Sequence, residues 1–498
     1  MARIQIEHLT FAYEGSYDNV FEDVSFQLDS NWKLGLIGRN GCGKTTLLRL
    51  LLGGLPYQGW IDAPIEFVYF PYTVKTPEET AGTIVEGLAE EGETWRIFRE
   101  LGLMEVPETV MEQPFSTLSG GEQTKLLLAA LFAGENRFLL IDEPTNHLDI
   151  LGRETVANYL KKKRSFILVS HDREFLDGCI DHVMHIGRTK VTVQKGNYST
   201  WQREKEAQDQ LETERSEQLK KDIRRLETAA RRTAGWSDQV EKSKKGGAKV
   251  GSKRDAPVLD TGYVGHKSAK MMQRAKSIAQ RQERAIQEKQ GLLKEVETVQ
   301  SLKIHPLTPP RSSLLRLEQV SVVYDPERPV CQHVNFSVNA GERVAIQGKN
   351  GSGKSSLLKL ISGEPIPHTG SVWQCGGLVI SYVGQDTSML SGTLRDYART
   401  HHMDESLLLA ILRKMGFQRV QFEKDISEFS AGQKKKVLLA GSLSQSAHLY
   451  IWDEPLNYID LMSRLQIETL LQSSRVSMLF VEHDRAFCEN IATKIVEL

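Results

Sequence analysis

Two distant stretches alternate apolar and polar residues, IQIEHLTFAY from Ile4 and LLRLEQVSVVY from Leu314. A period of two predicts strands covered on one face. Each is followed by a short apolar run, LGLIG (34–38) and VAIQG (344–348), which predicts a buried strand. Helical spacing then takes over in TTLLRLLLG and SSLLKLISG. FLLID (138–142) and LYIWD (449–453) are again apolar throughout, as strands are in a parallel sheet covered on both faces. The two halves therefore read as α/β domains, each with a smaller β subdomain.

The middle follows a different rhythm. From Tyr198 to about Val240 a thin helical stripe runs through Leu211, Leu219, Ile223, Leu226 and Ala230. A second stripe from about Lys267 to Leu302 uses Met271, Ala275, Ile278, Ala285, Leu292, Val296 and Val299. Two such helices, each about 55–65 Å long at 1.5 Å per residue, predict an antiparallel hairpin. Between them lies a Gly- and Lys-rich segment that reads as a flexible tip near 242–265. The expected domains are thus 1–198, a hairpin linker at 199–310, and 311–498.

Charge sharpens this division. Residues 201–300 carry 23 Lys and Arg against 16 Asp and Glu, while the whole chain nets −1. A basic linker between two acidic bodies points to a polyanionic partner. No apolar run reaches the ~18 residues of a membrane span, and the N-terminus lacks a secretory pattern. Five scattered cysteines form no CxxC pair, so a reduced, cytoplasmic setting is expected.

The motifs occur twice, in order. GRNGCGKTT (38–46) returns as GKNGSGKSS (348–356), FSTLSGGEQTK (115–125) as SEFSAGQKKK (427–436), FLLIDEPTNHLD (138–149) as LYIWDEPLNYID (449–460), and LVSHDREF (168–175) as FVEHDRAF (480–487). The intervals agree: Lys44 to Ser119 spans 75 and Lys354 to Ser430 spans 76. This is a tandem duplication.

Each GxxxxGK[ST] loop follows a strand and opens a helix. Gly38, Asn40, Gly41, Gly43, Lys44, Thr45 and Thr46, and likewise Gly348, Asn350, Gly351, Gly353, Lys354, Ser355 and Ser356, form loops whose amides and lysine suit phosphates. Thr45 and Ser355 suit Mg²⁺, as do Asp142 and Asp453 at the ends of apolar strands. Glu143 and Glu454 can polarise an attacking water, and His171 and His483 can sense the γ-phosphate. Ser119, Gly120 and Gly121, and Ser430, Gly432 and Gln433, open two further helices with glycine-rich ends.

These motifs resemble those of the ATP-binding cassette (ABC) proteins in both halves. The resemblance implies head-to-tail cassettes with composite ATP sites. One joins Lys44, Asp142, Glu143 and His171 to Ser430 and Gly432, and the other joins Lys354, Asp453, Glu454 and His483 to Ser119 and Gly121. It also implies that Tyr13 and Tyr324 stack on adenine and that Gln385 is the Q-loop ligand of Mg²⁺. Three departures stand out: Tyr72 replaces the first Q-loop glutamine, Glu122 replaces a signature glutamine, and Ala431 replaces a signature glycine.

Two cassettes, no membrane span and an interdomain hairpin resemble the ABC-F class. LSGGEQTKLLLAALF and KGNYSTWQREKE are typical of it, and GYVGHKSAKMMQRAKS most resembles the Lsa-type resistance members. The resemblance implies an ATPase that uses ATP and Mg²⁺ and binds the bacterial ribosome. Its linker would enter by the exit-tRNA site toward large-subunit rRNA and peptidyl-tRNA. It would protect against lincosamides, pleuromutilins and streptogramin A. The extra arm of some housekeeping members and a C-terminal tail are expected to be absent. A translation factor with no resistance role, and the ATPase of an exporter, stay open. Lys242, Lys244, Lys245, Lys249, Lys253 and Arg254 are candidate phosphate contacts, and Leu259 and Tyr263 candidate base contacts. Cys42, just ahead of a helix N-terminus, is expected to have a lowered thiol pKa.

Overall fold

The computed structural model describes residues 3–13, 19–88, 94–187, 190–245, 302–324 and 330–498. The first half builds a six-stranded sheet in the order Glu66–Phe70, Arg137–Asp142, Phe166–Val169, Lys33–Gly38, His182–Ile186, Val191–Lys195. All neighbours pair in parallel except the last two strands. The second half builds a five-stranded parallel sheet in the order Ile380–Val383, Leu449–Asp453, Met478–Val481, Arg343–Gln347, Lys494–Glu497. Each half adds a three-stranded antiparallel sheet whose central strand is Arg3–Phe11 or Ser313–Val322.

The apolar runs are continuous because both sheet faces are covered. Phe138 and Leu140 pack with Leu34, Leu36 and Leu47 on one side. Leu139 and Ile141 pack with Leu126 and Leu168 on the other. Parallel register then brings the strands' carboxyl ends to one edge. Asp142 pairs with Val169 and Asp453 with Val481, so Asp142 and His171, and Asp453 and His483, leave the sheets side by side. Ligand sites of open α/β sheets lie at this edge.

By contacts the chain forms two compact units, Met1–Trp201 with Val299–Leu498, and Gln202–Thr298. The cassettes merge because they share contacts. Leu461 of the second joins the apolar cluster of the first, and Arg173 pairs with Glu468.

One long helix, Tyr198–Lys245, begins the linker. Its first turn is held to the first cassette by Asp177 Oδ1, which accepts from the Ser199 amide at 2.8 Å. The helix runs past the predicted end near Val240 as far as Lys245. Lys242, Lys244 and Lys245 therefore sit on the helix rather than in a flexible tip. Lys249, Lys253, Arg254, Leu259, Tyr263 and the expected second helix up to 301 lie outside the described residues.

Candidate functional site

Both phosphate-type loops take the shape their glycines allow. Gly43 and Gly353 cap the following helices at φ 98° and 89°, and Gly41 and Gly351 are also left-handed. A Cβ on Gly43 would sit 2.6 Å from Val20 Cγ1 and 2.9 Å from Phe21 Cζ. Lys44 Nζ donates to the carbonyls of Gly38 and Arg39 at 2.9 and 3.2 Å. Lys354 does the same with Gly348 and Lys349, at 2.8 Å each. The ammonium groups thus curl over helix N-termini, where an anion is favoured. Tyr13 and Tyr324 stand exposed beside the loops, tied by their hydroxyls to Thr46 Oγ1 at 2.8 Å and Ser356 Oγ at 3.1 Å.

Behind each loop lies a carboxylate. Thr45 Oγ1 donates to Asp142 Oδ2 at 2.8 Å, and Ser355 bonds Asp453 in the same manner. Gln385 Nε2 donates to Asp453 Oδ1 at 3.1 Å. Glu143 and Glu454 follow in the left-handed region at φ 52° and 47°, an uncommon conformation for glutamate that aims the side chain back at the loop. His171 Nε2 lies 3.2 Å from Glu143 Oε1, and His483 Nε2 lies 3.5 Å from Glu454 Oε1.

The two glutamates differ electrostatically. Burial, then the charge of Asp142, pushes Glu143 up to about 8. Burial also acts on Glu454, but the His483 hydrogen bond and the charges of Lys435 and Lys354 hold it below its ordinary value. Asn457 Nδ2 adds a 2.6 Å bond to its other oxygen. Lys435 adds a charge that the first cassette lacks. It is buried, donates to the Gly384 carbonyl at 2.9 Å, and has Thr124 in its place in the first cassette. Burial and the charge of Lys44 drive the pKa of His171 well down, which keeps that ring neutral.

The signature serines N-cap their helices, Gly120–Ala133 and Ala431–Ser444. Both form capping boxes, which explains the residue three positions on: Glu122 and Gln433 each serve as the return acceptor. Ser119 Oγ donates to Glu122 Oε2 at 2.6 Å, whereas Gln433 accepts from the Ser430 amide at 3.0 Å.

The cassettes meet at the first loop. Asn40 Nδ2 donates to the Tyr458 carbonyl at 2.7 Å. Gly432 is so close that a Cβ would lie 2.5 Å from Asn40 Nδ2. The charges of Arg464, Asp460 and Lys436 reach His171. Lys44, Asp142, Glu143 and His171 are therefore faced by the second cassette's signature glycine and the loop after its Glu454. On the other side, the charge of Asp149 reaches Lys354.

Several of the supporting residues carry no local sequence signal. Tyr69 OH donates to Asp142 Oδ2 at 3.1 Å. Arg153 and Arg464 form buried pairs with Asp172 and Asp484 and also bond the carbonyls of Leu148 and of Leu456 and Ile459. Glu482, buried beside His483, accepts from the Leu456 amide at 3.1 Å, where the first cassette has Ser170. The expectation for Cys42 is overturned. Burial pushes its thiol up and outweighs the charge and the amide of Lys44. It packs against the apolar cluster beneath the loop, and Gly38 has no room for a Cβ beside its Sγ.

A family model described as ABC transporter matches residues 21–146 and 331–457, once in each cassette. The chain belongs to this family. It is an ATPase of the ABC-F class. The ribosome protection protein VmlR of Bacillus subtilis (strain 168) is 29% identical over 495 residues, covering 96% of this chain and 84% of that protein. The putative ATP-binding protein YdiF of the same organism is 25% identical, covering 100% and 80%. The probable ATP-binding protein YheS of Escherichia coli (strain K12) is 26% identical, covering 94% and 74%. Among solved structures, an archaeal ribosome recycling factor, aABCE1, in complex with a stalk protein, aligns with a TM-score of 0.62 at 18% identity. It covers 98% of this chain and 87% of that one, a likeness of fold. No helix among the described residues is long and apolar enough to cross a membrane.

Proposed function

We propose that the chain binds and hydrolyses ATP at two composite sites and uses the cycle to work on the bacterial ribosome. The contact that carries the two-site reading is Asn40 against Tyr458 and Gly432, where one cassette's phosphate loop meets the other's signature. The lysines Lys44 and Lys354 take the phosphates, Tyr13 and Tyr324 the adenine, and Ser119, Gly121, Ser430 and Gly432 close from opposite sides. Thr45 with Asp142, and Ser355 with Asp453, offer hydroxyl and carboxylate oxygens within hydrogen-bond reach of one another, and the Gln385 amide group lies beside the second pair. Such hard oxygen sets fit Mg²⁺. When bound, Mg²⁺ neutralises charge on the β- and γ-phosphates. Glu143 and Glu454 orient the attacking water; Glu454, held below its ordinary value, is ionised and accepts its proton, Glu143 does so in its ionised fraction, and the neutral His171 donates a hydrogen bond toward the γ-phosphate.

The ribosomal partner is supported by near full-length similarity to a ribosome protection protein and by the basic linker. The linker enters by the exit-tRNA site, and lysines from Lys242 to Lys253 contact rRNA phosphates. The drugs affected are those of the peptidyl-transferase centre: lincosamides, pleuromutilins and streptogramin A. The test pairs ribosome co-sedimentation of the Glu143→Gln, Glu454→Gln chain with a susceptibility profile of a sensitive bacterial host expressing the wild type. Retention on ribosomes with raised resistance to these classes supports the reading. Retention without resistance reassigns the chain to a translation factor, and no retention removes the ribosome from the proposal.

A further inference from the structure

The two cassettes hold their strand-end aspartates in different ways. In the second, Gln385 Nε2 reaches Asp453 Oδ1 at 3.1 Å from the loop that follows strand Ile380–Val383. That loop continues to the helix Leu394–Thr400, so the glutamine rides on a segment shared with the helical part of the cassette. In the first, the matching residue is Tyr72, an exposed side chain.

The contact to Asp142 comes instead from within the sheet. Tyr69 pairs with Leu140 in the adjacent parallel strand, which sets its ring two residues short of Asp142. Its hydroxyl donates to Asp142 Oδ2 at 3.1 Å, the same oxygen that Thr45 Oγ1 reaches at 2.8 Å. The second cassette supplies an internal control. Tyr382 pairs with Ile451 in the same register, yet its hydroxyl is buried and makes no hydrogen bond. The same aromatic thus stands in both sheets, and only the one lacking a glutamine partner bonds the aspartate.

We propose that Tyr69 is the positioning residue of the first site, replacing the Q-loop glutamine and fixing Asp142 from the sheet rather than from a loop. The donor to Asp142 is thus held by a strand's ladder, whereas the donor to Asp453 is held by a loop.

The inference rests on the ATP-site assignment above, and the experiment separates the two. In the full chain carrying Lys354→Ala, binding of a fluorescent ATP analogue reads the first site. Tyr69→Phe is expected to raise the Mg²⁺ concentration for half-maximal tight binding about ten-fold, as loss of a partner behind a metal ligand does. Affinity in EDTA should change by less than about two-fold. Adding Tyr72→Gln to Tyr69→Phe should recover most of the loss by restoring the amide donor. In the converse background, Lys44→Ala, Tyr382→Phe should change nothing. An unchanged Mg²⁺ dependence in Tyr69→Phe overturns the proposal. So does an equal loss with and without Mg²⁺, or failure of the Tyr72→Gln arm, since each marks the ring as mere packing. Analogue binding that survives Lys44→Ala with Lys354→Ala together overturns the site assignment itself.

Discussion

Asn40 and Tyr458 lie 418 positions apart and are joined by a 2.7 Å hydrogen bond from the Asn40 side chain to the Tyr458 carbonyl. The bond ties the first phosphate loop to the loop following the second cassette's Glu454. Gly432 completes the contact at a distance that excludes any side chain.

Gly432→Ala should therefore cripple the first site. Its Cβ would fall 2.4 Å from the Tyr458 carbonyl oxygen and 2.5 Å from Asn40 Nδ2, so one of them must move. ATP turnover read at the first site, with Lys354→Ala in the background, should drop at least about ten-fold, a barrier of about 1.4 kcal/mol. Turnover that stays within two-fold would show that closure of this interface is not needed.

Glu143→Gln with Glu454→Gln should leave analogue affinity within about three-fold while phosphate release falls at least about 100-fold, the usual worth of a positioned base. Phosphate release at the wild-type rate would remove both glutamates from the chemistry.

Arg173 and Arg485 occupy the same place after their histidines but have different surroundings. Arg173 crosses to Glu468 and both side chains are largely buried, while Arg485 pairs in the open with Glu489 and with Glu154 of the first cassette. Arg173→Ala strands a buried carboxylate and should lower stability by about 3 kcal/mol in urea unfolding. Arg485→Ala should cost less than about 0.5 kcal/mol. Equal effects would refute the claim that the Arg173 pair pins the cassettes.

Glu100, fully buried, accepts from Tyr159 OH at 2.8 Å and from Lys163 and Arg99. Burial acts to raise its pKa, but these partners together hold it below its ordinary value. A depressed carboxylate stabilises the fold above its unfolded pKa of about 4.3 and loses that contribution as pH falls through the folded value. Glu100→Gln should thus cost about 2 kcal/mol near pH 7. The gap to wild type should shrink below about pH 4. A gap that is constant with pH would mean that the charge of Glu100 plays no part.

Cys42 should resist iodoacetamide in the native chain, because its side chain is half-buried and its thiol pKa is raised. Rapid native labelling that ATP prevents would restore the opposite reading, drawn from its place before a helix.

The sheets, the loops and the paired motifs were legible because phosphate loops and buried parallel strands demand particular residues at fixed local spacing. Asp142, Glu143 and His171 could be placed from strand ends alone. Tyr69 could not: an aromatic in a strand is ordinary, and only the parallel register with Leu140 aims its hydroxyl at Asp142. Lys435 is one of three consecutive lysines with nothing local to single it out, yet its helix buries it behind Asp453. Glu100 sits at a core position of its helix, and the matching residue in the second cassette is the buried Ile411. Two of its three partners, Tyr159 and Lys163, lie 59 and 63 positions away, beyond the reach of any periodicity. Cys42 misled because a helix end is a local argument, whereas burial beneath the loop is set by the distant β subdomain.

The span between Asn40 and Tyr458 also sets an order of events at synthesis. At about 5–20 residues per second, roughly 20–80 s pass between making one partner and the other. The first cassette has its sheet and, apart from Leu461, both apolar clusters long before then, but its interface must wait, exposed to water. That delay is tolerable because several of the waiting groups are polar: the Asn40 amide and the Arg173 guanidinium can bond water until the second cassette arrives. A nascent chain with a greasier face there would spend the same interval as a target for aggregation and chaperones.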